Sequence, residues 1–137
     1  MKRTAFTIVE MIVVLIVIGI LIGLSTGGAM KILAEAKRGQ AEADITALAS
    51  AVSRYERDVG SYPPETFGLC YHLEVDRSGD TDNWNGPYMN FDDDRTSGND
   101  YEDPWGSNYL YSNPGINNTN FVDIWSTGGS GATIGNW

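Results

Sequence analysis

An uncharged apolar run near the amino terminus constrains this chain more than any other feature of its sequence. The run extends over Met11–Leu24, and a short basic segment, Met1–Ala5, and an isolated acid, Glu10, precede it. Counted from Phe6, the stretch has 19 residues. At a helical rise of ~1.5 Å per residue it reaches ~28 Å, close to the ~30 Å hydrocarbon core of a bilayer. The sequence therefore predicts a helix that can span a membrane.

The order of these parts differs from that of a signal peptide or a simple anchor. A secretory signal peptide has its small-residue cleavage site after the apolar block, and a simple anchor does not place an acid such as Glu10 inside it. Lys2 and Arg3 favour a cytoplasmic N-terminus, because basic residues stay on that side. A carboxylate in hydrocarbon costs about 2.5–3.5 kcal/mol on insertion scales, so Glu10 needs a positively charged partner.

A basic leader, a small residue, Phe6 and an acid four residues later together resemble the N-terminal signal of type IV prepilins and pseudopilins. The resemblance implies that a prepilin peptidase cuts between Ala5 and Phe6 and methylates the new amine, which gives N-methylphenylalanine. It also implies that Glu10 pairs with this amine on a neighbouring subunit during assembly. Ala5 departs from the Gly that usually precedes the cut and is the nearest small substitute.

Three glycines recur every fourth residue of the predicted helix, at Gly19, Gly23 and Gly27. They form one stripe, and small residues in such a stripe let helix backbones approach closely. We expect this stripe to serve the packing of subunits in a filament.

The helix is predicted to continue well beyond its apolar part. From Ala29 the pattern becomes amphipathic and persists to about Asp58. Gly60 and the following Tyr62-Pro63-Pro64 end it, because Gly caps helices and Pro cannot continue them. We expect the upper part of the helix to pack on neighbouring subunits and the lower part on the head.

The rest of the chain predicts a small sheet. Short apolar runs at Tyr109–Tyr111 and Phe121–Trp125 indicate strands between turn signals, and the acidic segment Asp76–Asp103 is expected to be mostly loop. The fold class is α+β, a long helix packed on a small antiparallel sheet in the shape of a lollipop. The predicted divisions are a leader at 1–5, a transmembrane and polymerisation helix at 6–28 and a periplasmic head at 29–137.

Charge and the scarcity of reactive residues exclude several functional classes. The net charge is −9, and residues 61–137 hold twelve acids beside only Arg77 and Arg95. Nucleic acid is therefore not an expected partner, since binding it needs clustered Lys and Arg. Cys70 and His72 are the only cysteine and histidine. No intrachain disulfide can form, the pair is too small for a metal site or an activated nucleophile, and we expect no enzyme.

Motifs in the second half resemble the major pseudopilin of the type II secretion system. They follow in order along the chain as Tyr62-Pro63, Thr66-x-Gly68-Leu69, Gly86-Pro87-Tyr88, Asp103-Pro104-Trp105-Gly106-Ser107-x-Tyr109, Val122-Asp123-Ile124 and Ile134-Gly135-Asn136-Trp137. We expect a structural role for these motifs. Asp103-Pro104-Trp105-Gly106 predicts a turn whose Trp packs between the head and the helix, and Trp137 is predicted to be a buried anchor for the chain end.

Calcium is the cofactor that the resemblance implies, because major pseudopilins bind it where many type IV pilins have a disulfide. The family carries aspartates in the last loop, whereas Thr127–Thr133 has no acidic residue here. Asp123 and Ser126 remain as candidate ligands, and a cation without charged ligands binds weakly. The site is therefore predicted to be lost or relocated. The acidic segment Asp76–Asp103 is an alternative location, although it has no EF-hand register and is typical of a solvated surface.

We predict a structural subunit of a pseudopilus, a pilus-like filament that drives protein secretion through a type II secretion system. Its expected partners are copies of itself, minor pseudopilins or pilins, the prepilin peptidase, an inner-membrane assembly platform and membrane lipid. The expected location is the bacterial inner membrane, with a single pass and a cytoplasmic N-terminus, and then a periplasmic or extracellular filament. Two alternatives stay open: a surface type IV or competence pilus for adhesion, motility or DNA uptake, and a membrane-anchored binding domain that does not polymerise.

Overall fold

The computed structural model describes most of the chain, namely residues 7–75, 83–129 and 131–137, with side chains left out at 24–27. These residues form two compact units that meet between Ala36 and Lys37. The unit before this boundary is called the N-terminal unit below, and the unit after it the C-terminal unit.

One long helix, α1 (Ile8–Val59), contains 52 residues. It ends at Gly60, whose φ of +88° lies in the left-handed region and whose N–H donates to the carbonyl of Glu56 at 2.7 Å. Glycine adopts this conformation without the steric cost that a side chain brings, so it terminates helices in this way. The prediction of a helix continuing to about Asp58 is confirmed.

The C-terminal unit has its hydrophobic core on one face of α1. Ile45, Leu48 and Val52 are buried, and their spacing of three and four residues places them on the same side of the helix. Val122 and Ile124 belong to the same cluster and are completely buried. Each such side chain contributes about 1.5–3 kcal/mol on burial. The other members are mostly aromatic or small: Ala41, Ala51, Tyr55, Leu69, Cys70, Leu73, Tyr88, Phe91, Tyr101, Tyr109 and Ile134.

Several short elements of the C-terminal unit were not expected from the sequence. A short helix, α2 (Leu69–Glu74), buries Leu69, Cys70 and Leu73, but six residues are too few to show helical periodicity. A hairpin of β1 (Thr96–Ser97) and β2 (Asp100–Tyr101) lies inside the segment predicted to be mostly loop. Strands of two residues have no alternating pattern, which is why the sequence does not reveal them.

The larger sheet has three antiparallel strands in the order β3, β4, β5. These are β3 (Leu110–Ser112), β4 (Asp123–Ser126) and β5 (Ile134–Gly135). Leu110 pairs with Trp125, and Ser126 pairs with Ile134. Strands β3 and β4 overlap the two predicted apolar runs, and the predicted α+β class is confirmed.

Candidate functional site

The apolar face expected to carry assembly is the N-terminal part of α1. From Ile8 to Gly23 every side chain that the structure describes is exposed. Helix α1 (Ile8–Val59) is long and apolar enough to cross a membrane. Exposed apolar surface of this extent is unfavourable in water, so lipid or protein must cover it. The large exposed side chains here are Ile8, Val9, Met11, Ile12, Val13, Val14, Leu15, Ile16, Val17, Ile18, Ile20, Leu21 and Ile22.

Glu10 is held at the first turn of α1 by Thr7. Its Oε2 accepts hydrogen bonds from the Thr7 N–H at 2.9 Å and from the Thr7 hydroxyl at 3.0 Å. In return the Glu10 N–H donates to Thr7 Oγ1 at 3.4 Å. This reciprocal pair is a capping box, which satisfies N–H groups that have no partner at a helix start. The sequence signal for a capping box is present, since Thr7 stands three residues before Glu10.

The other predicted assembly and processing residues are placed less completely. Ala5 and Phe6 lie outside the described residues, so cleavage between them stays a prediction. A methyl group added at Gly19 or Gly23 would meet nothing within 4 Å. A side chain at either glycine would therefore meet open space among the residues that the structure describes. The surroundings of Gly27 lie outside the described part, and the role of the stripe stays a prediction.

A polar cluster joins α1 to the rest of the C-terminal unit. Asp44 Oδ2 accepts a hydrogen bond from Arg95 Nη2 at 2.6 Å and another from the Tyr109 hydroxyl at 2.8 Å. Arg95 Nε and Nη2 also donate to the carbonyl of Glu102, at 3.1 and 2.7 Å. Burial, together with the hydrogen bond to Asp44, raises the pKa of Tyr109. No pattern in the sequence indicates this cluster, because its members are far apart along the chain.

The Asp103-Pro104-Trp105-Gly106 segment forms a turn around a buried carboxylate. Asp103 Oδ1 accepts hydrogen bonds from the N–H groups of Trp105 and Ser107, both at 2.9 Å. Asp103 Oδ2 accepts the hydroxyl hydrogen of Ser126. Trp105 is half-buried, and its ring lies against Gly129 in the last loop. The predicted structural residues of this segment thus tie the turn to the C-terminal end of the chain.

Tyr62 and Pro63 connect the segment that follows α1 to the larger sheet. The carbonyl of Pro63, which is buried, accepts the hydroxyl hydrogen of Tyr111 at 2.7 Å. The ring of Tyr62 packs edge-on against Phe121, with 5.5 Å between ring centroids. Both residues therefore make contacts within the C-terminal unit, and the structural role of the motif stays a prediction.

The prediction that Trp137 is buried is wrong. Its side chain is 52% exposed. The ring lies over Gly135 and contacts Trp125 edge-on at 6.2 Å between centroids. Trp137 follows the edge strand β5 by two residues, and its ring packs on the paired residues Gly135 and Trp125.

The candidate calcium ligands Asp123 and Ser126 do not share a site. They are three residues apart on β4, which places them on opposite faces of the strand. The Ser126 hydroxyl donates to Asp103 and accepts the N–H of Gly128 at 2.9 Å. Among the residues that the structure describes, no three His, Cys, Asp or Glu side chains are arranged to hold a metal ion.

Asp123 is buried and surrounded by donors from one turn. Its carboxylate accepts the N–H groups of Ile116, Asn117 and Asn118 at 2.7–2.8 Å and the side-chain amide of Asn117 at 3.2 Å. Burial alone would raise the pKa of Asp123, but these hydrogen bonds stabilise the charged form and lower the pKa below its ordinary value. Asp123 is therefore ionised at neutral pH.

Cys70 and His72 lie on α2 and are both buried. Burial raises the pKa of the Cys70 thiol to about 12, so the thiol is protonated and unreactive at neutral pH. His72 Nε2 lies 2.8 Å from the carbonyl of Thr66. The two residues have the surroundings of core side chains.

Comparison with known proteins gives a family match over most of the chain. Residues 29–136 match the family described as "Type II secretion system (T2SS), protein G". The type II secretion system core protein G of Vibrio cholerae serotype O1 is 31% identical over 145 residues, which cover 99% of this chain and 92% of that protein. The protein of the same name from Pseudomonas aeruginosa is 31% identical over 144 residues, with 99% and 96% covered.

A solved structure is similar as well. The crystal structure of the major pseudopilin from the type 2 secretion system of enterohaemorrhagic Escherichia coli superposes with a TM-score of 0.52 and 28% sequence identity. The superposition covers 79% of this chain and 92% of that one.

Proposed function

Because the chain belongs to the type II secretion system protein G family and is a pseudopilus subunit, we propose that α1 serves it twice. The helix first anchors the subunit in the inner membrane, and it then packs against the same helix of other subunits in the filament. One observation carries this proposal. All described side chains from Ile8 to Gly23 are exposed, whereas the C-terminal unit has a complete core of its own.

Processing precedes assembly in this proposal. The prepilin peptidase removes the leader, residues 1–5, and leaves a methylated amine on Phe6. The support is the order of basic leader, small residue, Phe6 and Glu10 in the sequence. Residues 6–28 then form the membrane and filament segment, and residues 29–137 the periplasmic head.

Glu10 sets the position of each added subunit. The family resemblance pairs its carboxylate with the amine of Phe6 on a neighbour, and a buried carboxylate in an apolar filament core requires such a partner. In the described chain the same carboxylate closes the capping box with Thr7. Assembly therefore exchanges an internal hydrogen-bonded partner for a charged one on another subunit.

The open space around Gly19 and Gly23 is available to neighbouring helices. Among the described residues outside the adjoining backbone of α1, nothing lies within 4 Å of a methyl group placed at either position. Small residues on one stripe allow close helix contact. We propose that these glycines, with Gly27, lie against helices of adjacent subunits.

The chain assembles with other components of a type II secretion system. We propose that these are copies of itself, minor pseudopilins, the prepilin peptidase and an inner-membrane platform. We further propose a single pass with the N-terminus in the cytoplasm, supported by Lys2 and Arg3 before the apolar run. The filament grows into the periplasm, and its output is the movement of secreted protein, not catalysis.

The family match favours the pseudopilus over both alternatives left open by the sequence. The match lies over residues 29–136, and most of that range is outside the apolar helix that all pilins share. A surface or competence pilus and a membrane-anchored domain that does not polymerise therefore have no observation in their favour.

The test compares two Glu to Gln substitutions in α1, with the full chain expressed beside the other components of the secretion system. We expect Glu10→Gln to lower the yield of sheared filaments about tenfold or more, since the loss of ~1.4 kcal/mol per joint is a factor of ten in an equilibrium constant. Glu35→Gln is the matched control, because Glu35 is also an exposed acid of the same helix. Electron microscopy counts the filaments, and mass spectrometry reads the N-terminus of the subunit.

Wild-type filaments whose subunits begin at methylated Phe6 are the expected result. A subunit that retains Met1 and stays dispersed in the membrane would contradict the proposal. So would Glu10→Gln filaments as abundant as those of Glu35→Gln.

A further inference from the structure

The last part of the chain is the region where the related major pseudopilins are expected to hold calcium. After Asp103, the sequence contains a single carboxylate, Asp123. Calcium takes six to eight oxygen ligands at about 2.3–2.6 Å, and carboxylates supply most of the binding energy. Asp123 and Asp103, which accepts the Ser126 hydroxyl hydrogen, therefore decide whether this chain can hold calcium in the same region.

Most of the acceptor capacity of Asp123 is already used. A carboxylate has about four acceptor positions, and four N–H donors engage this one, three at Oδ2 and one at Oδ1. Oδ1 accepts the N–H of Asn118 at 2.8 Å. Oδ2 accepts the N–H groups of Ile116 and Asn117 at 2.7 and 2.8 Å, and the side-chain amide of Asn117 at 3.2 Å. These groups direct the positive ends of their dipoles to the positions that a cation would need.

The last residues of the chain are held by a neutral side chain, that of Asn136. Asn136 Oδ1 accepts the N–H of Ile124 at 3.0 Å, and Asn136 Nδ2 donates to the carbonyl of Val122 at 2.9 Å. The Asn136 N–H donates to the carbonyl of Ile124 at 3.2 Å. The side-chain amide of Asn118, from the turn that surrounds Asp123, donates to the carbonyl of Asn136 at 3.1 Å. Strand β4, the turn and the chain end are thus joined directly.

The other candidate ligand is also engaged. The Ser126 hydroxyl lies between Asp103 and the N–H of Gly128. Residues 127–133 add only hydroxyl and backbone oxygens, which are neutral. The donor set therefore does not fit calcium.

We propose that this subunit closes its C-terminal segment without a divalent cation. The Asp123 clasp, which comprises Asp123, the N–H groups of residues 116–118 and Asn136, takes the place of the ion. Asp123 supplies a negative charge inside the fold, and the backbone N–H groups stabilise that charge. The resulting charge-assisted hydrogen bonds order the turn. Calcium at this segment consequently adds nothing to the stability of the C-terminal unit.

The first test is the thermal unfolding of the purified full chain in detergent, followed by tryptophan fluorescence. We expect the Tm in about 1 mM CaCl2 to lie within about 1 °C of the Tm in about 1 mM EGTA, since a ligand stabilises only the state that binds it. A rise of about 5 °C or more with calcium that saturates would overturn the proposal. This measurement needs no filament, so it is independent of the proposed assembly mechanism.

The second test distinguishes a clasp from a ligand. As part of the clasp, Asp123→Asn lowers the Tm by about 5 °C or more, and by the same amount in EGTA and in calcium. As a calcium ligand, it would lower the Tm only in calcium. Asp93→Asn is the control, because Asp93 is an exposed acid of the same unit. An Asp123→Asn protein with the wild-type Tm in both buffers would also refute the clasp.

An Asp123→Asn chain that does not fold would still leave two decisive measurements. The comparison of the wild-type chain in calcium and EGTA needs no variant. Asn136→Ala removes the two side-chain hydrogen bonds to Val122 and Ile124 and leaves the carboxylate in place. The proposal expects a lower Tm for it, equal in both buffers, and a calcium-dependent difference would overturn it.

Discussion

Gly68 is the residue at which the backbone of the C-terminal unit tolerates a side chain least. Its φ is +76°, in the left-handed region. A Cβ there would lie 2.4 Å from the carbonyl oxygen of Asn99 and 2.5 Å from Asp100 Oδ1. The turn before α2 therefore rests directly on the β1–β2 hairpin. Any side chain at Gly68 must push the two apart.

We expect Gly68→Ala to lower the free energy of unfolding by about 2–4 kcal/mol, from left-handed strain and overpacking together. Gly60→Ala is the matched control. Its φ is +88°, but a Cβ there meets nothing within 4 Å, so only the conformational cost of about 1–2 kcal/mol applies. Urea unfolding of the two variants measures the difference. Equal losses would show that the hairpin moves aside freely.

Single residues also show what the sequence could and could not predict. Asp103 bonds to Trp105 and Ser107 within its own motif, as turn residues act within a few positions of themselves. Pro63 instead contacts Tyr111, 48 positions along the chain, which no local pattern indicates. Trp137 was expected in the core from its apolar ring, yet its place beside an edge strand leaves it 52% exposed. Burial at a chain end depends on what lies opposite, and sequence periodicity carries no information about that.

At the scale of elements, one polar cluster connects α1 to the 3₁₀ turn at Asp93–Arg95 and to the residue before β3. Asp44 and Arg95 have side chains that are only 16% and 19% exposed. Arg95 also lies over the ring of Tyr101, 4.5 Å from its centroid. Solvent screening is weak at such a pair, in contrast with an ion pair on the surface.

We expect Arg95→Met to lower the free energy of unfolding by about 1.5–3 kcal/mol, the range for hydrogen bonds to charged groups. Arg38→Met is the control. The Arg38–Glu42 ion pair lies on α1, as Asp44 does, but its side chains are more than half exposed. Such a pair contributes about 0.3–0.5 kcal/mol. Chemical denaturation of both variants checks the ordering. A loss at Arg95 no larger than that at Arg38 would contradict a stabilising cluster.

Elements with local signals were predicted and elements without them were not. The helix α1 has a long periodic pattern and a Gly-Pro stop, and its end at Val59 lies within one residue of the prediction. Strands β3 and β4 have apolar runs between turns. In contrast, the pairing of Asp44 with Arg95 spans 51 positions along the chain. A contact at that distance is set by the packed fold, and a single sequence does not reveal it.

At the scale of the whole molecule, the boundary between Ala36 and Lys37 separates surface that needs a partner from surface that does not. Among the residues of α1 whose burial the structure describes, the first buried one is Ala41. The buried core residues of α1 thus belong to the C-terminal unit.

We expect a chain that begins at Lys37 to fold without detergent and to remain monomeric. A chain that begins at Ala49 is the control, since it lacks Ile45 and Leu48, and the loss of each buried aliphatic side chain costs ~2–5 kcal/mol. Size-exclusion chromatography and near-ultraviolet circular dichroism compare them. Aggregation of the longer chain would show that the N-terminal unit is needed for folding.

The uneven charge of the chain has a consequence for the fibre as a material. Residues 61–137 hold twelve acids and two bases, and the three consecutive acids Asp92, Asp93 and Asp94 are exposed. Each added subunit thus extends a polyanion, and its repulsion is screened over a Debye length of about 8 Å at physiological ionic strength. Because the proposed clasp needs no calcium, mobile counter-ions in solution are left to screen this negative charge. We therefore expect fibre growth to depend on the total ionic strength around the fibre, whichever cation provides it.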